Sequence, residues 1–192
     1  MQTDLILCLM PTGEIESRIN YWRQTNFPNY PLLGALPPFI PLAFPKKIPT
    51  FAQLRNLAHH EWPVCQFSPF VKFFEQPGGS GLLLPLEQPN WDIYQAQILM
   101  SLGEQETETD FQPFSIPIGP WFFLGHLTKG ISEFPPSEAI PPILAKMNFR
   151  APFLCLLRIG TQSDSMADLI FWELLARHRV KKQFIRSDIS PI

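Results

Sequence analysis

One stretch of the chain carries residues whose types and spacing could do chemistry. It is His126-Leu127-Thr128, inside the apolar run "GPWFFLGHLTKGI" at residues 119–131. On a β-strand, residues i and i+2 point to the same face. His126 and Thr128 would then stand side by side over one cleft while Leu127 points to the core. The pair suits a phosphate: the ring nitrogen moves protons and the hydroxyl donates to a non-bridging oxygen. Alone the pattern is weak, because a His-x-Thr arises by chance in about one chain in six of this composition.

The other candidates are weaker. His59 and His60, in "LAHHEWP", end a predicted helix, where a cationic side chain interacts well with the helix dipole. They read as surface caps, with a catalytic role as the alternative. His178 belongs with Arg177, Arg179, Lys181, Lys182 and Arg186 in a C-terminal basic cluster, read as a solvated face, with phosphate contacts as the alternative. Cys8, Cys65 and Cys155 are odd in number, sit in apolar stretches and form no CxxC. They read as free buried thiols of a reducing, cytoplasmic compartment. Histidines and cysteines do not pair at ligand spacing, so no metal site is expected. "PGGSG" lacks the lysine and following helix of a phosphate-binding loop, and there is no GxSxG, HExxH or paired-carboxylate motif. No cofactor is expected.

Several elements must position these residues. "DLILCLM" (4–10) reads as a buried strand ended by Pro11. "TGEIESRINYWRQT" reads as a helix capped by Thr12, with Ile15, Ile19 and Trp22 at helical spacing. "FIPLAF" reads as a strand in which Pro41 demands an edge or a bulge. "TFAQLRNLAHH" reads as a helix capped by Thr50, with Phe51, Leu54 and Leu57 on one face. "VCQFSPFVKFFEQ" and "GLLLPLEQ" read as two strands joined at "PGGS". "NWDIYQAQILMSLG" reads as a helix capped by Asn90, with Trp91, Tyr94, Ile98 and Leu102 as its stripe and Gly103 as its stop. "EQETETD" reads as a loop, "FSIPI" and "WFFLGHLTKGI" as strands, "SEAIPPILAKM" as a helix, and "FRAPFLCLLRI" as a strand. "ADLIFWELLARHRV" fits a helix as well as a strand that places Ile170, Trp172, Leu174, Ala176 and Val180 on one face.

The chain has 192 residues, 45% of them hydrophobic, enough for one domain of two lobes over residues 1–192. Net charge is −2 and the isoelectric point is near 6.1, so no global basic field draws the protein to nucleic acid. The 22 prolines and 17 phenylalanines point to short elements and rigid connections, not a helical bundle. No segment reads as a signal core or a membrane span, and a monomer is the expectation. The element order reads as two similar halves of an α+β fold.

In this order the elements resemble the 2H phosphoesterase superfamily, the 2′-5′ RNA ligase-like (LigT-like) proteins and cyclic phosphodiesterases, over nearly the whole chain. "LILCLMPTGEIESRI" looks like that family's first strand and helix, and "FWELLARHRV" like its closing strand, which favours β there. "LGHLTKGI" is similar to the second signature. "PPFIPLAF" is similar to the first, in which the family has Pro-His-hydrophobic-Thr/Ser-Leu followed by Phe.

The resemblance implies two pseudo-symmetric lobes of antiparallel sheet and helix around a central cleft, each lobe giving one His-x-Thr/Ser. One histidine would act as base and the other as acid, while the hydroxyls hold the phosphate. The implied substrates are RNA ends or nucleotides with a 2′,3′-cyclic phosphate or a 2′-5′ linkage. This chain departs from the pattern. Phe39 stands where the first histidine belongs and Pro41 where the first hydroxyl belongs, so only His126 and Thr128 carry over. Phe39 could stack on a base or fill the space of the lost histidine. Tyr30 or a loop lysine is open as a replacement group, whereas Lys129 would point away from His126 on a regular strand. The implied function is a divergent, weak or specialised phosphodiesterase at most, binding an RNA end or nucleotide phosphate. The alternative is an inactive binding or scaffold protein.

Overall fold

The computed structural model describes residues 2–27, 35–60, 62, 64–68, 70–76, 79–88, 90–103, 107–108, 116–128, 148–161 and 170–181. Strand β1 (Gln2–Met10) leads into helix α1 (Gly13–Asn26). Thr12 caps that helix, its hydroxyl accepting from the Ile15 amide at 3.5 Å. Strand β2 (Ile40–Pro45) follows, then α2 (Phe51–His59). Thr50 and Gln53 close a reciprocal capping box on α2.

Three strands come next: β3 (Cys65–Phe67), β4 (Lys72–Gln76) and β5 (Gly79–Glu87). Helix α3 (Trp91–Leu102) precedes the two-residue β6 (Thr107–Glu108) and then β7 (Trp121–Thr128). The chain ends in β8 (Asn148–Phe149), β9 (Phe153–Thr161) and β10 (Ile170–Arg179).

The strands form two five-stranded antiparallel sheets. One has the order β10-β9-β1-β2-β6; the other runs β4-β5-β3-β8, with β7 also paired to β5. Alternation along the strands sorts the apolar residues into two cores. The first collects every buried apolar helix residue, among them Ile15, Ile19, Trp22, Leu54, Leu57, Ile98 and Leu102, against Leu7, Leu9, Leu82, Leu84, Phe122 and Leu124. The second has no helix residue among the described residues. It is drawn from the opposite faces of both sheets, with Ile6, Cys8, Cys155, Leu157 and Ile159 from one and Leu83 and Phe123 from the other. The α+β expectation with two sheet-and-helix halves therefore holds.

Several local expectations are corrected. "VCQFSPFVKFFEQ" is two strands, broken after Phe67, so β3 and β4 pair with different parts of β5. "FRAPFLCLLRI" is split at Ala151 and Pro152, and its pieces enter different sheets: β8 pairs with β3, β9 with β1. The acidic loop contains β6, recruited by the edge of β2 at Phe44 and Pro45. Ile116, Pro117 and Ile118 are not strand; Ile116 is buried in the helix-free core, with Ile118 packed against it. Phe51 is 70% exposed, and Ala58 takes its place on the buried stripe of α2. Asn90 precedes α3 but makes no side-chain cap bond.

Residues 170–179 are strand. A bulge between Leu174 and Ala176 moves Ala176 opposite Leu156, off the face that Trp172 and Leu174 share. The expected helix at 137–147, Tyr30, Lys129, Lys182 and Arg186 lie outside the described residues.

Candidate functional site

The two signature strands meet at one point. The Phe123 amide donates to the Phe39 carbonyl at 2.8 Å, an isolated antiparallel bridge between residue 39, just ahead of β2, and β7. It joins the two sheets and brings the "FIP" and "HLT" stretches side by side.

The β2 half is apolar. Phe39 is 0% exposed, and its ring lies 5.5 Å from that of Phe123. No ring face is left for a base to stack on, so the space-filling reading of Phe39 is the one its burial supports. Pro41 is buried opposite Cys8 on the same helix-free side. The strand is bulged there, as its proline requires: Cys8 pairs with Pro41 and Leu7 with Ala43, leaving Leu42 as the extra residue.

The β7 half carries a second bulge, and it decides where the motif goes. Phe122 and Leu124 belong to the helix-facing core and Phe123 to the helix-free one. Regular alternation from Leu124 would put position 126 on the helix side. Instead Leu83 pairs with Phe123 and Leu82 with Gly125, inserting one residue. Gly125 adopts φ 128°, open to glycine and strained for any other residue. Beyond it His126 pairs with Gly81 and Thr128 with Gly79. These are the β5 positions in phase with Leu83, so register positions 126 and 128 fall on the helix-free face. The pairing of residues 126–128 with β5 is set by this bulge.

Gly81 makes room at that point. A Cβ on it would collide with the Phe74 ring, within 1.9 Å of Cε1. Phe74 pairs with Gly81 across the β4–β5 hairpin and lies over it, its ring 6.5 Å from that of Phe123.

Each bulge is held by a helix side chain. The Gln95 amide of α3 donates to the Leu42 carbonyl at 3.1 Å. The Arg23 guanidinium of α1 donates to the Leu124 carbonyl at 2.7 Å and to the Leu36 carbonyl at 3.0 Å, with a further bond to Asn20 Oδ1. Arg23 is 4% exposed. Burial pushes its pKa down to about 10, against the opposing pull of Glu16, so it is charged at neutral pH. The charge-assisted bonds offset much of the desolvation cost. The sequence reading missed Arg23 and Gln95. A signal existed for Arg23, which sits four residues after Ile19 on the buried stripe of α1.

The remaining candidates lie elsewhere. His59 Nδ1 bonds the Arg55 carbonyl of its own helix at 2.8 Å, in keeping with a capping role. The His178 ring packs 5.4 Å from that of Phe51. All three cysteines are buried, and none forms a disulfide. Cys8 and Cys155 face each other across β1 and β9, with burial raising both thiols, that of Cys155 to about 11. No group of three or more potential metal ligands occurs among the described residues, and no helix among them is long and apolar enough to cross a membrane.

Two antiparallel sheets, with the described helices packed on one side of them, give the chain a LigT-like α+β fold. It is similar to TT0787 of Thermus thermophilus, with a TM-score of 0.60 at 12% identity, covering 92% of this chain and 97% of that one. It is similar to E. coli LigT complexed with 3′-AMP, with a TM-score of 0.58 at 16% identity, covering 94% and 99% of the two chains. A phosphoesterase matches with a TM-score of 0.52 at 16% identity, covering 94% and 100%. E. coli LigT has also been crystallised with phosphate, NADP+ and ATP. No family model matches the sequence, and no curated protein matches it at a significant level.

Proposed function

We propose that this protein holds the phosphate of an RNA end or nucleotide beside His126 and Thr128, with weak or specialised phosphodiesterase activity at most. The observation that supports the reading is the register shift at Gly125, beyond which His126 pairs with Gly81 and Thr128 with Gly79, the β5 positions in phase with buried Leu83. The fold shared with a protein crystallised with 3′-AMP and ATP supports a nucleotide ligand. Three buried cysteines outside any disulfide fit a cytoplasmic protein, and the 192 residues act as one domain of two lobes.

The chemistry is limited by the residues at positions 39 and 41. Hydrolysis of a cyclic phosphate takes a proton from water and gives one to the leaving oxygen. A paired site divides these duties between two histidines. Here Phe39 can do neither and Pro41 offers no hydroxyl, so His126 would act as base or acid without a partner. Losing one such group typically costs about 10²–10⁴-fold in rate. Thr128 would supply the hydroxyl that orients a non-bridging oxygen.

A binding or scaffold role without turnover is the second reading, favoured by the complete burial of Phe39. One experiment separates the two. Hydrolysis of 2′,3′-cyclic nucleotides and 2′-5′-linked oligonucleotides is followed beside equilibrium binding of 3′-AMP. Slow turnover abolished by His126→Ala supports the enzymatic reading. Binding without turnover, weakened by Thr128→Ala, supports the second. Turnover equal in wild type and His126→Ala excludes catalysis at this site.

A further inference from the structure

A second cluster of basic groups lies where the end of β10 crosses the C-terminal end of α2. His59, Arg179, Val180 and Lys181 line an open cavity of about 460 Å³ there, a volume in the range of small-molecule sites. Val180 is 4% exposed. The backbone is pinned on both sides of the cavity: the Val180 amide donates to the Pro152 carbonyl at 2.8 Å and the Lys181 amide to the Ala58 carbonyl at 3.1 Å.

The end of a helix normally repels an anion, because its last carbonyls carry partial negative charge. Here several carbonyls of the last turns are bonded. Arg55 O bonds His59 Nδ1, Leu57 O accepts from the His60 amide and from Trp62 Nε1, and Ala58 O accepts from the Lys181 amide. With Nδ1 turned to its own helix, His59 presents Nε2 as its other polar atom.

The basic run on β10 is also sorted by its partners. Arg177 lies 3.6 Å over the Phe153 ring and His178 packs on Phe51. Arg179 and Lys181 form no ion pair among the described residues. Two cations and an imidazole thus converge from two elements on one cavity, with two of the helix-end carbonyls, Leu57 O and Ala58 O, already bonded.

We infer that this cavity is a phosphate-binding site distinct from the His126 site, taking a phosphate group carried by a nucleotide or by a nucleic-acid strand. Arg179 and Lys181 supply charge, and His59 donates through Nε2 when protonated. The inference does not depend on any chemistry at His126.

The test is an NMR titration of the full chain, following the Val180 and Lys181 amides and the His59 imidazole. One arm adds inorganic pyrophosphate; the other adds a 5′-phosphorylated single-stranded RNA about six nucleotides long, the span of a short strand site. Saturable shifts at these three residues are expected, roughly 10-fold weaker in an Arg179→Glu, Lys181→Glu double variant through its lost phosphate contacts, and retained in His126→Ala. Saturation by pyrophosphate assigns a free phosphate group as sufficient; saturation by RNA alone assigns a strand. Both substituted side chains are exposed, and a far-UV spectrum confirms that the variant folds. Non-saturable shifts, shifts confined to other residues, or equal affinity in the charge-reversed variant would overturn the proposal.

Discussion

Phe123 donates its amide to the Phe39 carbonyl at 2.8 Å while their rings pack 5.5 Å apart. One pair of residues therefore makes both a backbone link and a side-chain contact between the two sheets. The position that would hold a proton-transfer group in a paired site is here part of that link, and Phe39 is fully buried.

Restoring the histidine should therefore fail to restore activity. In Phe39→His the imidazole enters a site lined by Cys8, Leu83 and Phe123. Burial of an unsatisfied polar group costs about 1–3 kcal/mol, and Pro41 still offers no hydroxyl. The expected outcome is a lower urea midpoint with no gain in cyclic-nucleotide hydrolysis. Phe39→Ala should lose about 3–5 kcal/mol through the cavity it leaves.

The Gly125 bulge sets the register in which positions 126 and 128 pair with β5. Gly125→Ala puts a side chain at φ 128°, a cost of about 1–3 kcal/mol. The strain is relieved if the bulge is expelled, which would turn positions 126 and 128 to the other face. Thermal unfolding should show the loss, and amide exchange should quicken along the β5–β7 pairing beyond Leu82. Binding of 3′-AMP should weaken more than the stability change explains.

Arg23 holds the same bulge from α1. In Arg23→Met the aliphatic stem still packs, but the carbonyls of Leu36 and Leu124 lose their charged donor. A loss of about 2–4 kcal/mol is expected from two buried carbonyls left unsatisfied. Denaturant unfolding measures it, and Arg23→Lys should recover only part because an ammonium does not present the planar fork.

The buried thiols predict a pH dependence. An unfolded chain gives up its cysteine protons near the ordinary value of 9.0, whereas burial holds those of Cys65 and Cys155 to about 11. The folded state keeps protons that the unfolded state releases, so this contribution is fully present below pH 9 and is lost as pH rises toward 11. The sign follows from the balance of bound protons: above the unfolded value the unfolded chain is the one favoured by each further rise in pH. Stability measured across that window should fall, and the fall should shrink in a Cys65→Ala, Cys155→Ala variant. At neutral pH, iodoacetamide should leave the native thiols unmodified and label them after denaturation.

Much of the framework was legible without coordinates. Helical spacing at Ile15, Ile19 and Trp22, the cap at Thr50 and the stop at Gly103 are local signals, set by backbone sterics and hydrogen bonding within a few residues. The proline in β2 announced its bulge for the same reason. The absence of an imidazole at position 39 and of a hydroxyl at 41 is chemistry that the sequence states outright.

Only the tertiary structure decided how those pieces face one another. No local pattern says that one residue of β7 is inserted between the partners of Leu82 and Leu83, yet that insertion turns positions 126 and 128 from the helix side to the face where the sheets meet. Arg23 and Gln95 reach the bulges from helices distant in sequence, because a carbonyl pushed out of a ladder must find a donor wherever the fold supplies one. Phe39 could be read as a stacking ring or as filler until its neighbours were known, since burial is a property of the surroundings and not of the residue. The strand at 170–179 was ambiguous for the same reason: its periodicity fits either element, and pairing along β9 makes it a strand.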